Sequence, residues 1–339
     1  MMKLTKILVA LSFLFSVSTA NAGELTVTGN MEATYHTEAE TTTGNPIGMD
    51  RELKFAGSTE LDNGITVSVF QDTSDNLGYG NSQIAFGNIA GLATIYVGSD
   101  SDPVDAIDDV TPTAYEEANG SRSGTSNDIG DLAGNMGIGI KFDLPILGAV
   151  NAKYYPKADD TKNADNSNSS DANHSVGSGE SISIATNLAD LPILGGYLDG
   201  ATLKAGYSTI EIATDALTED SHDATVALNY VTGPFSIGIQ EKYHNEGTTT
   251  SSSEDTFYRD SVIGIAYALN DALSISYNKY ESYKHNDKTV QVEQDTTAIN
   301  IGYTVGGMTI GFQDAQTDGA NWTADTKDDT RTLGVSVAF

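Results

Sequence analysis

Cysteine is absent from all 339 residues, so neither a disulfide framework nor thiolate chemistry is available to this chain. Cationic side chains are scarce: 17 Lys and Arg stand against 47 Asp and Glu, a formal charge of −30. A surface of that sign repels phosphate backbones and excludes nucleic acid as a partner, while it attracts cations. No stretch after Ala22 approaches the roughly 18 apolar residues that a membrane-spanning helix needs. The motifs of common hydrolases and nucleotide-binding enzymes are missing too, with no G-x-S-x-G, no H-E-x-x-H and no phosphate-binding glycine loop. The sequence therefore predicts no enzyme and no cofactor. Low hydrophobicity with high charge is also a mark of disorder. Against it stand 16 Tyr, 10 Phe and a recurring pattern.

The chain opens MMKLTKILVALSFLFSVSTANA, where Lys3 and Lys6 precede an apolar run from Ile7 to Val17 and Ala20-Asn21-Ala22 closes the segment. These are the parts of a secretory signal cleaved after Ala22. Its loss removes two lysines and makes the chain more acidic still. Residues 23–339 are then expected to form one domain.

What recurs through that domain is strict alternation, the period-two mark of a strand with two unlike faces. In TTAINIGYTV, Ile299, Ile301, Tyr303 and Val305 share one face, with Ala298, Asn300, Gly302 and Thr304 on the other. SVIGIAYAL, FSIGIQEKYH and RTLGVSVAF read the same way. A soluble sandwich and a transmembrane barrel both produce such alternation, so the connections must decide. About sixteen strands can be laid along the chain, and every second connection is a tight turn, such as Asp62-Asn63, Asn270-Asp271 or Gly306-Gly307. The intervening ones are long and polar, for example KADDTKNADNSNSSDANHSVGSG and NEGTTTSSSED. Short turns thus share one rim and long loops the other, as in an outer-membrane barrel with short periplasmic turns and longer extracellular loops. The hexapeptide DLPILG, at 143–148 and again at 190–195, falls on two successive short-turn positions. A secreted or surface-attached soluble β-protein, an adhesin or lectin-like module binding through its long loops, is the competing reading.

With about sixteen strands, a leader and a terminal strand that ends at Phe339, the mature chain resembles the general diffusion porins of Gram-negative outer membranes. That resemblance implies an all-β transmembrane antiparallel barrel, a homotrimer in outer-membrane lipid, and passive passage of small hydrophilic solutes and ions. It also implies that the long loop after the fifth strand, about 99–134, folds into the pore and that its acids face basic residues on the opposite wall. The loop supplies Asp102, Asp105, Asp108, Asp109, Glu116 and Glu117. Asp102-Pro103 is a helix N-cap and first-turn pair, predicting a short helix over 104–110.

Basic wall candidates are Lys54, Lys141, Lys153, Lys204 and Lys242, all of inward parity, and Arg51, of outward parity but close enough to the loop end to reach over the rim. The fourth strand offers Gln83 where the family often has a base. With acids in excess, modest cation preference is expected. A unit charge about 7 Å from a permeating ion in water is worth roughly 0.6 kcal/mol, which enriches cations without holding them. The five histidines fall on the long-loop side, and His36 with Glu38 and Glu40 is the best local candidate for an external metal. The Asp-rich loops could take up Ca²⁺, although none has the spacing of a twelve-residue calcium loop. Tyr35, Tyr96, Tyr154, Tyr230, Tyr243, Tyr267 and Tyr303 are read as lipid-facing or girdle residues.

Overall fold

The computed structural model describes residues 23, 25–40, 44–74, 78–100, 102–118, 123, 129–130, 132–158, 176–192, 195–212, 219–247, 256–286 and 292–339. The leader expected over 1–22 lies outside them. Sixteen strands run in order: β1 Leu25–Glu38, β2 Ile47–Glu60, β3 Thr66–Ser74, β4 Gly78–Ile89, β5 Ala93–Gly98, β6 Gly137–Leu144, β7 Gly148–Tyr155 and β8 Val176–Asn187. They continue with β9 Ala201–Ile212, β10 Ser221–Thr232, β11 Phe235–Asn245, β12 Thr256–Ala268, β13 Leu273–Asn286, β14 Val292–Val305, β15 Met308–Asp318 and β16 Lys327–Ala338.

Each strand pairs with its neighbours in sequence, and β1 pairs with β16 antiparallel, so the sheet is a closed barrel. Closure matters energetically because an unpaired backbone group in hydrocarbon costs several kcal/mol. The last residue completes it. Phe339 donates its N–H to the Gly29 carbonyl at 3.0 Å and accepts from the Gly29 N–H at 2.9 Å, and its ring lies where a Gly29 Cβ would be.

The faces are those of a barrel turned inside out relative to a soluble protein. Ile299 is 50% exposed on the outside of β14, whereas its inward neighbours Ala298 and Asn300 are buried. Outward aromatics gather at two levels: Phe235 and Tyr267 pack at 4.6 Å near the turn rim, and Tyr243 and Phe257 at 5.7 Å near the loop rim. Of the tyrosines read as lipid-facing, six are exposed. Tyr96 is the exception: it is buried in the lumen wall and donates to Asn151 Oδ1 at 2.7 Å. Its parity on the short β5 is inward, beside Gly139 and Ala85 on the neighbouring strands.

Both DLPILG segments lie on the short-turn rim, the first between β6 and β7 and the second between β8 and β9. The turn ends of the strands fall where alternation places them. The loop ends run further, as in β15, which the apolar alternation follows only to about Ala315 but which pairs to Asp318. Above the lipid band charged and polar side chains face outward, so the hydrophobic pattern stops before the backbone ladder does.

A loop folded against the inner wall

The connection between β5 and β6 does not stand up from the rim. It enters the barrel and lies along the inner wall, touching each strand from β8 to β16. Val104 N–H donates to Ser181 Oγ on β8 at 3.3 Å, and Asn229 of β10 donates to the Val110 carbonyl at 2.7 Å. Gln240 of β11 takes the Ile107 carbonyl at 2.8 Å, and Asn278 of β13 takes that of Pro112 at 2.9 Å. Ser276 accepts from Ala114 N–H at 3.0 Å. On β14 and β15, Asn300 and Gln313 hold the backbone of Glu116. The tip ends at β1, where Tyr115 Oη donates to Glu32 Oε1 at 2.7 Å.

The wall beneath is built to receive the loop. A Cβ on Gly264 would sit 2.5 Å from the Pro112 carbonyl oxygen, and one on Gly311 would sit 2.1 Å from the Tyr115 ring. The small inward residues seen in the sequence therefore do more than keep the lumen wet. They let a second layer of backbone approach the sheet. Buried backbone groups of an irregular segment need partners, and the short amide and hydroxyl side chains of β8 to β15 supply them.

The expected helix over 104–110 is one 3-10 turn, Asp105–Ile107. Asp102 does act at its start, accepting from Val104 N–H at 2.6 Å and Asp105 N–H at 3.3 Å. The segment then straightens as Gln240 and Asn229 draw the Ile107 and Val110 carbonyls to the wall, away from the i+4 amides that a longer helix would use.

The sixteen-strand closed barrel with an inserted loop is accompanied by a family match: residues 8–293 match the model for the Gram-negative porin family. The chain belongs to that family. No curated protein sequence matches it. Among solved structures, a porin refined at 1.8 Å resolution has TM-score 0.63 and 14% identity, covering 93% of this chain and 100% of that one. In-vitro folded OmpT of Vibrio cholerae, in its trimer form, gives TM-score 0.70 at 10% identity, with coverage of 94% and 100%. The anion-selective porin from Comamonas acidovorans gives 0.65 at 12%, with coverage of 94% and 100%. At these identities the likeness is one of fold. Membership of the Gram-negative porin family together with the closed sixteen-strand sheet makes this porin an outer-membrane barrel.

The charged residues of the porin divide into three groups. Asp102 and Asp108 are buried against the wall: Asp102 Oδ1 accepts from Ser181 at 2.7 Å, and Asp108 Oδ1 lies 2.8 Å from Lys242 Nζ. Lys153 is likewise buried, donating to the Asp100 carbonyl at 2.8 Å above the Tyr155 ring. Lys242 and Lys153 therefore do not stand across the lumen from the loop, as a basic wall would. Lys242 lies beneath the loop, because the loop runs over β11.

A second group faces open lumen. Asp105, Glu116 and Glu117 are half-buried and Asp109 is more exposed. Burial pushes the Glu117 carboxyl up to about 7, with Asp109 and Glu116 adding repulsion and Lys242 opposing. Beyond the loop tip, the inward positions of β1 and β2 carry Glu32, which holds Tyr115, and Asp50 and Glu52, with Glu32 paired in register with Asp50. Lys54, two residues on, holds its ammonium 3.8 Å from the Phe70 ring centre. Lys141 lies over Tyr96 and lines a cavity of about 530 Å³ with Asn151, Ser183 and Ala106 of the loop neck. Lys204 has inward parity between Ala185 and Ala227. The acids of the β1–β2 wall are outward of any sequence motif, and parity from Lys54 was the only signal that could have found them.

The third group is on the outside. Arg51 pairs in register with Met31, in the outward column of Met49, Leu53 and Phe55. The His36 candidate is not assembled as a three-ligand site. His36 bonds Thr332 and lies 3.5 Å from Glu38, whereas Glu40 accepts the Asp329 N–H at 2.7 Å. Among the described residues, one carboxylate trio could share a cation, Glu281, Glu293 and Asp295, whose oxygens lie within 4.8 Å. It is on the outer face, and Lys279 already sits 2.5 Å from Glu281 and 3.0 Å from Asp295.

Proposed function

We propose that this porin is a sieving channel that passes small hydrophilic solutes down their gradients and prefers cations among ions. The supporting observation is that the free lumen is acidic along the loop and beyond its tip. Asp109, Glu116 and Glu117 line the loop, and Asp50 and Glu52 line the wall beyond its tip, next to Glu32, which holds Tyr115. The bases that would offset them are buried under the loop, stacked on an aromatic ring or set towards the turn rim. Fold alone does not fix the sign of selectivity, since one solved relative in fold is an anion-selective porin. The acids of this lumen support the cation reading. In a low-dielectric cylinder filled with water, fixed acids raise the local cation concentration, and salt screens the effect within about 10 Å at 0.1 M. Reversal potentials across a planar bilayer under a salt gradient test the reading. Cation preference that weakens as salt rises supports it, and anion preference at low salt overturns it.

The exported chain would begin at Gly23, after removal of 1–22, and assemble as a trimer like the trimer form of OmpT. The outer surface points to the contact face. Among the described residues, Arg51 is the one charged side chain at an outward position of β1 to β7, and apolar outward residues of β1 run from Leu25 to Tyr35. On β15 the corresponding run stops at Phe312, below Asp314. A bilayer of uniform thickness cannot match both heights, so the taller apolar face is assigned to a neighbouring copy.

A further inference from the structure

Strand β11 has a role that its neighbours do not share. Four of its five inward residues, Gly238, Gln240, Lys242 and His244, serve the loop, and two of them do so through carboxylates. Lys242 Nζ lies 2.8 Å from Asp108 Oδ1 and 3.7 Å from Asp109 Oδ1 on the outgoing limb. Asp108 then turns its other oxygen to the returning limb, accepting Ile129 N–H at 3.3 Å. His244 Nδ1 lies 2.5 Å from Asp223 Oδ1 on β10, and Asp223 Oδ2 accepts Gly130 N–H at 3.1 Å together with Ser208 Oγ. Both limbs of the loop are thus pinned by acids, and each acid is held by an inward cation or imidazole of one strand.

We propose that Lys242 and His244 are positioning residues that set the width of the constriction without touching the permeating solute. This rests on the reading of the loop as the pore's narrowing element. The Lys242 side chain is fully covered and those of Asp108, Asp223 and His244 are nearly so, which removes them from the path of ions and makes their pairing decisive. Two charges sharing a buried site hold each other, but an acid left there without its partner seeks water. The only water within reach is the lumen, so losing Lys242 drives Asp108 and the limb that carries it away from the wall. Gly130 makes the arrangement tight. Its φ of 104° is left-handed, and a Cβ there would lie 2.6 Å from that of Asp105, so the returning limb rests directly on the outgoing one. A loosened outgoing limb therefore frees both.

The test is single-channel recording of the mature full-length protein in planar bilayers, with heat-modifiable migration on detergent gels reporting an intact barrel. Lys242→Met is expected to replace the single open level by flicker among sub-levels with an altered mean conductance. Lys242→Met combined with Asp108→Asn, which removes the nearest of the charges that Lys242 offsets on the loop and keeps an acceptor for Ile129, is expected to be quieter than Lys242→Met alone. His244→Ala is expected to give a weaker form of the Lys242→Met record. Should Lys242→Met fail to insert, Asp108→Asn alone, which takes away the nearest carboxylate and leaves Lys242 only Asp109 at 3.7 Å and Asp260 of β12, must show the flicker in a weaker form. A steady parental level in the intact single variants overturns the inference while leaving the pore reading in place, as does a double variant no quieter than the single one. A parent protein that never conducts overturns both.

Discussion

Tyr115 at the tip of the inserted loop donates to Glu32 on the first strand at 2.7 Å, so the constriction is anchored at its far end to the strand that begins the barrel. The ring rests on the glycine faces of Gly311 and Gly334, where a Cβ would come within 2.1 Å of its atoms. A side chain at either glycine must lift the tyrosine. Gly311→Val is expected to change the unitary conductance more than Tyr115→Phe does, because the first displaces the tip and the second removes one hydrogen bond worth about 0.5–1.5 kcal/mol. Equal effects would show that the tip is held by something other than this seat.

Neutralising the wall beyond the loop tip should weaken ion preference in steps. A unit charge about 7 Å from an ion in water changes its local concentration by about threefold at most, and Asp50→Asn or Glu52→Gln should each lower cation enrichment by no more than that. Reversal potentials at low salt read the change directly. Arg51→Gln, on the outside, should leave them as they are.

Selectivity should also depend on pH. Glu117 titrates near 7 because burial disfavours its charge, so a negative charge joins the constriction as pH rises through that value and cation preference should increase. Glu117→Gln should flatten the step. The same shift has a stability sign: a carboxyl raised from about 4.3 binds its proton more tightly in the docked loop than in a detached one. Its contribution is fully present below the ordinary carboxylate range and fades as pH climbs towards 7.

Asp102 separates the roles of charge and shape. Its Oδ1 caps the loop's 3-10 turn and accepts from Ser181, while its Oδ2 is buried with no hydrogen-bond partner among the described residues, and burial pushes the carboxyl up. Asp102→Ala loses a cap worth about 0.5–2 kcal/mol, whereas Asp102→Asn keeps the acceptor and sheds the buried charge. Thermal unfolding monitored by heat-modifiable migration should rank alanine below asparagine. The reverse order would mean that the acceptor oxygen does not hold the neck and that a buried polar side chain there is a net cost.

The proposed contact face can be tested by charge. Met31→Asp or Met49→Asp, on the outward columns of β1 and β2, should shift the oligomer in detergent to monomer. Val305→Asp, equally outward on β14, should impair insertion without a specific loss of oligomer. Size-exclusion chromatography with light scattering distinguishes them.

Strand number, closure and the sidedness of turns and loops were legible because lipid and lumen impose opposite demands on alternate residues. Val335 and Gly334 announce their faces without any partner in view. The site was less legible for a geometric reason. Asp108 and Asp109 are adjacent in the same acidic run, yet one is buried against Lys242 and the other is open to the lumen. Parity rules stop where the chain leaves the ladder, and which loop acid meets the wall depends on contacts with strands more than a hundred residues away. Tyr96 shows the same limit within a strand, since an aromatic in a barrel was read as lipid-facing when its register turns it inward.

Because the described residues of the inserted loop lean along β8 to β16 and meet β1 and β7 only at tip and neck, the free passage is off-centre. Half of the sheet has become a foundation and the other half a selective surface. Changes at Asp50 or Glu52 can retune which solutes pass without disturbing the footing, and changes beneath the loop can resize the opening without altering what lines it. The protein thus has two separately adjustable controls within one uninterrupted sheet.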